Sequence, residues 1–114
     1  LGDVYKRQDE VEREVEKMKK VQYMSHRIGE CYEGVISGVN AWGMYVELPN
    51  TVEGLVHVTN MVDDYYYYDE EKYAMIGKDT GKEYTLGEKV WVMVKAADRI
   101  SKTIDFILVQ NMEE

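Results

Sequence analysis

Residues 33–58 read EGVISGVNAWGMYVELPNTVEGLVHV, and the period of this stretch decides the fold. β-Branched and aromatic residues dominate it, and apolar positions recur at Val35, Val39, Trp42, Met44, Val46 and Leu48. A two-residue period belongs to a strand, whose successive side chains point to opposite faces. Gly38 and Asn40 predict a bend or turn between two strands. Pro49-Asn50 predicts another, and Glu53 to His57 a short third strand.

Downstream, residues 63–89 are polar and tyrosine-rich, punctuated by Gly77, Gly81 and Gly87. Within them Tyr65–Tyr68 and Lys72–Ile76 are expected to pair as a small hairpin. Lys89–Ala96 (KVWVMVKA) predicts a strand, Asp98–Lys102 a turn, and Thr103–Val109 (TIDFILV) a last strand. Five main strands and one elaborated loop imply a small closed Greek-key barrel rather than an open sheet.

Upstream of Gly29 the period changes. Residues 9–24, DEVEREVEKMKKVQYM, contain no Gly or Pro, and Val11, Val15, Met18 and Val21 or Gln22 fall on one helical face. Glu16 precedes Lys20 by four residues, the favourable order for a helical ion pair. A helix is expected over residues 9–26. Residues 1–8 show no periodic pattern and are expected to be a frayed leader, and residues 110–114 a tail.

At 114 residues and 45% hydrophobic, the chain can build the core of one domain. No apolar run approaches the roughly 20 residues of a membrane helix, and LGDVYKRQDE has no apolar region of a cleavable signal. Cys31 is the single cysteine, so no internal disulfide forms. A lone thiol fits a reducing compartment, and a cytoplasmic location with no membrane partner is expected. Lys and Arg number 14 against 22 Asp and Glu, a net charge of −8, so the chain lacks a bulk basic footprint for nucleic acid. Residues 29–109 carry 7 basic and 14 acidic side chains, and residues 9–28 carry 5 of each, so the helix is not a basic arm. RNA binding would therefore have to come from a local site.

Several motifs now stand in register: Gly34 to Val39, Trp42-Gly43-Met44-Tyr45-Val46, Glu53-Gly-Leu-Val-His57, Leu86-Gly87-Glu88-Lys89-Val90, then VKAAD, a turn and TIDFILV. Together, over residues 29–109, they resemble the S1 RNA-binding domain, a variant of the OB fold. The resemblance implies an all-β fold, a five-stranded OB barrel with an N-terminal α-helix and a hairpin-like insertion between strands 3 and 4. The insert MVDDYYYYDEEKYAMIGKDTGKEYTLGEKV and the leader EREVEKMKKVQYM resemble the C-terminal region of the bacterial ribonuclease R family, processive 3′-to-5′ exoribonucleases. That implies single-stranded RNA as a partner, and a catalytic domain, ended by the helix, as another. Magnesium would belong to an aspartate cluster of that domain. The sequence carries no such cluster, so neither a cofactor nor catalysis is expected of this chain itself.

A sequence-tolerant single-strand site needs aromatic faces for bases and a few cations or hydrogen-bonding groups for the backbone. Trp42 and Tyr45 supply the faces. Three apart on a regular strand they would point opposite ways, and a bulge at Gly43 would re-aim one; the resemblance places both on the exposed barrel face. It also implies that His57 packs on or hydrogen-bonds the nucleic acid, and that Asp98 and Lys102, with Arg99 nearby, form a polar pair at the last turn. Lys102 stands where the family often has arginine, which keeps a phosphate contact without the planar fork. Asp98 would accept from a ribose hydroxyl or base edge, or orient Lys102; its plain alternative is a turn aspartate. Of Tyr65 to Tyr68, two are expected to cover the barrel and two to face out.

Two other function classes compete. The acidic barrel with its helix stripe is alternatively a protein-docking module of a translation or transcription factor. Catalysis by the chain is disfavoured: the carboxylates at 63–64 and 69–71 lack calcium-loop spacing, and no four-ligand zinc set or nucleophile motif is present. Removing residues 1–24 is expected to cost the barrel little stability.

Overall fold

The computed structural model describes residues 2–109, with side chains described from Glu12 onward. Helix α1 spans Gly2–Ser25. Strands β1 (Cys31–Asn40), β2 (Gly43–Glu47) and β3 (Glu53–His57) follow, then a 3-10 turn, Val58–Asn60. The insert holds β4 (Tyr66–Asp69), β5 (Ala74–Gly77) and β6 (Glu83–Thr85), and β7 (Lys89–Asp98) and β8 (Thr103–Val109) end the domain.

β1, β2, β3, β8 and β7 close into a barrel in that order. β3 and β8 run parallel, and the other neighbours antiparallel. Period-two patterning sends Met44, Val56, Phe106 and Val94 inward as one continuous layer across paired positions, all fully buried. Gly54 makes room for the largest of them: a Cβ there would stand 2.6 Å from the Phe106 ring. The five-strand barrel expected from sequence is the observed architecture.

The helix begins earlier than expected, and its apolar stripe is used differently. It includes residues 2–8, expected to be frayed, because once a helix is nucleated each further residue adds a hydrogen bond, and this segment contains no proline. The expected stripe is only partly covered. Val21 and Met24 are buried in the barrel core, whereas Val15 and Met18 are 44% and 53% exposed, and the Val11 side chain lies outside the described residues. At 1.5 Å per residue α1 is about 36 Å long, and among its described side chains the apolar contact with the barrel core comes from the last two turns. Lys20 donates to the Thr51 carbonyl, 3.4 Å away, at the same end of the barrel.

In the insert, β4 and β5 pair as the expected hairpin, and β6 adds a third strand to it. Tyr68, Met75 and Tyr84 are paired across it, and Met75 and Tyr84 join the core. Alternation turns Tyr66 and Tyr68 toward the core, and leaves Tyr65 and Tyr67 exposed, as expected. Asp64 ties the two ends of the insert together. Its carboxylate accepts from the Thr80 hydroxyl (2.6 Å) and from the amides of Thr80 (2.8 Å), Asp79 (3.1 Å) and Tyr65 (2.6 Å). These donors, the Thr80 hydroxyl first, hold its pKa at about 2. A carboxyl whose folded pKa is lowered stabilises fully above its unfolded value and loses that contribution as pH falls through the folded one. The Asp79 and Thr80 amide shifts are therefore expected to titrate with a midpoint of about 2, against an ordinary 3.8. A midpoint near the ordinary value would show that the tie does not form in solution.

Candidate nucleic-acid interface

The turn between β1 and β2 is built by Asn40, whose side-chain oxygen accepts from the amides of Trp42 (3.2 Å) and Gly43 (3.1 Å). Trp42 sits on this turn, 57% exposed, and its carbonyl accepts from the Val58 amide at 2.9 Å. Because Trp42 precedes the strand, its distance of three residues from Tyr45 does not force the two to opposite faces. Gly43 is paired with His57, and a Cβ there would overlap the Val56 carbonyl oxygen. Gly43→Ala is expected to destabilise by about 1–3 kcal/mol through overpacking against backbone, read by denaturant unfolding; no measurable loss would contradict this close approach.

Tyr45 lies on the outer side of β2, in a row that crosses all five strands: Gly38, Tyr45, Leu55, Asp105, Ala96. A Cβ at Gly38 would stand 3.4 Å from the Tyr45 ring, so the missing side chain lets the ring lie against β1. The bulge expected at Gly43 is found instead on β1, where the register shifts between Ile36 and Gly38. His57 follows on the same outer side of β3, with Nε2 3.7 Å from Asp105 Oδ1. A second bulge, between Val94 and Ala96, frees Lys95, whose Nζ is 3.5 Å from the Asn60 side-chain oxygen. The structure thus brings Trp42, Tyr45 and His57 to one part of the surface, and adds Asp105, Asn60 and Lys95. The sequence reading does not single out these three; the signals are the break in alternation at Lys95 and the lone charged side chain inside TIDFILV.

Asp98, Arg99 and Lys102 stand apart from this cluster. Their turn lies at the end of the barrel covered by α1, whereas the Asn40–Gly43 turn lies at the other. Asp98 behaves as a turn residue: its carboxylate accepts from the amides of Ile100 (2.8 Å) and Ser101 (3.3 Å), and these bonds lower its pKa. Lys102 adopts a left-handed backbone (φ 59°), and its ammonium pairs with Glu14 of α1. Arg99 is exposed.

Residues 25–107 match the family described as the S1 RNA binding domain. This chain belongs to that family. Relatives of this S1 domain include ribonuclease R 1 of Lactococcus lactis, 45% identical over 97 residues, which are 85% of this chain and 12% of the relative. Ribonuclease R of Thermotoga maritima is 43% identical over 107 residues, 93% of this chain and 15% of the relative. The S1 chain thus spans about one-seventh of these enzymes. Among solved structures, Mycoplasma genitalium RNase R in complex with ribose methylated single-stranded RNA superposes with a TM-score of 0.82 at 26% identity, covering 86% of this chain and 15% of that one. Among the described residues, no helix of this S1 domain is long and apolar enough to cross a membrane.

Proposed function

We propose that this chain binds single-stranded RNA without sequence preference, as the accessory C-terminal part of a 3′-to-5′ exoribonuclease. The observation that carries the proposal is the clustering of Trp42, Tyr45 and His57 outside the core, two π-faces and an imidazole brought to one part of the surface by the pairing of β2 with β3. Lys95 supplies the nearby cation. Arg99 remains open to phosphate at the far end, while Asp98 and Lys102 are engaged by their own turn and by Glu14. The family match and the RNA complex of the Mycoplasma relative support the same assignment. The mechanism is tethering: a weak second site near a catalytic channel raises the local RNA concentration and slows release. It needs no cofactor here, and magnesium belongs with the catalytic part of such an enzyme. Exposed Val15 and Met18 favour a second reading, in which α1 docks on protein, on that catalytic domain or on another partner.

The proposal is tested by fluorescence anisotropy of a labelled single-stranded RNA oligomer titrated with this chain at low and physiological salt. A Kd of about 10⁻⁴ to 10⁻⁶ M at physiological salt is expected. Because the site is local in an acidic domain, binding should weaken only modestly with salt. No binding at low salt would leave protein docking as the function.

A further inference from the structure

Three aspartates of the barrel and insert differ in what their carboxylates already hold. Asp64 is filled by the Thr80 hydroxyl and three backbone amides. Asp98 is filled by two amides of its own turn. Among the described residues, the Asp105 carboxylate receives no hydrogen bond; its ion-pair partner is His57, whose Nε2 is 3.7 Å away, beyond hydrogen-bond length. Yet Asp105 is the aspartate in the row of Tyr45 and Leu55, two strands from the aromatic ring, a Cα separation of about 10 Å.

A carboxylate repels phosphate, so its presence in an RNA-binding face calls for a donor on the ligand. Two kinds of donor are available, base N–H groups and the ribose 2′-hydroxyl. Bases differ in their edges, and a site that stacks them on Tyr45 takes them by their faces. The 2′-hydroxyl is carried by every nucleotide of RNA and by none of DNA. Resting on the RNA-binding function proposed above, we propose that Asp105 accepts the ribose 2′-hydroxyl of a nucleotide stacked at Tyr45, and so makes this face selective for RNA over DNA. The role expected of Asp98 thereby passes to a carboxylate that is free to perform it.

The test uses oligo(rU) and oligo(dU) of equal length, which carry identical bases. The parent chain is expected to prefer rU by about 5- to 10-fold, the worth of one net hydrogen bond. Asp105→Leu should reduce that preference to less than about twofold, and Asp105→Asn, which keeps an acceptor, should retain most of it. Both substitutions remove a negative charge and should tighten rU and dU alike, so the ratio is the readout. Asp105→Ala serves if the leucine variant does not fold. An unchanged ratio in Asp105→Leu, or equal affinity of the parent for rU and dU, overturns the inference while leaving RNA binding intact. Failure of the parent to bind rU overturns the proposed function, and this inference with it.

Discussion

The double variant Trp42→Ala, Tyr45→Ala is expected to lose single-stranded RNA binding while folding normally. Each base stacked on an aromatic ring is worth about 1–3 kcal/mol, so two rings contribute about 2–6 kcal/mol, at least a thirtyfold loss in affinity. In an already weak site that moves binding out of reach of an ordinary titration. The fold should tolerate both changes, since Trp42 stands exposed on a turn held by Asn40, and Tyr45 faces away from the Met44–Val56–Phe106 layer. Each single variant should lose part of the affinity. Wild-type affinity in the double variant would show that RNA, if bound, lies elsewhere, with the exposed Arg99 turn as the next place to look.

Met24→Ala is expected to destabilise the whole domain by about 2–5 kcal/mol. Met24 is fully buried and belongs to the same core as Phe106 and Val94. Its loss leaves a cavity where the helix meets β7 and β8, which the neighbouring strands cannot close without moving the barrel. Met18→Ala, six residues earlier and exposed, should cost less than about 0.5 kcal/mol. Denaturant unfolding of the two variants side by side reads the difference. Equal and small effects would restore the expectation that removing residues 1–24 costs the barrel little stability.

The barrel was legible because its strands obey one rule: inward positions such as Met44, Val46, Val92 and Phe106 alternate with outward ones. Departures from that rule were not legible. The bulge on β1 depends on how two strands pair, and so does the one beside Lys95, and pairing is a property of neither strand alone. β6 has three residues, too few to show a period. Met24 lies near the helix end, where a face cannot be assigned until the barrel it meets is placed. The aromatic pair was found through the Trp42-Gly43-Met44-Tyr45-Val46 motif, but the turn that reconciles Trp42 with Tyr45 rests on the Asn40 side chain. The S1 resemblance points to Asp98 through the polar pair it places at the last turn, and nothing in the sequence singles out Asp105. Turns also supply amide donors, and those donors occupy the Asp98 carboxylate.

The most direct measurement is a two-dimensional amide NMR titration of the intact chain with oligo(rU), which asks where RNA touches the domain. The expected result is a contiguous set of shifts at Trp42, Gly43, Tyr45, Leu55, His57 and Asp105, including the Trp42 indole, with α1 unmoved. Shifts confined to the Val15 and Met18 side of the helix, or none at an RNA concentration well above 10⁻⁴ M, the weak end of roughly what such sites show, would contradict a stacking platform on β2 and β3.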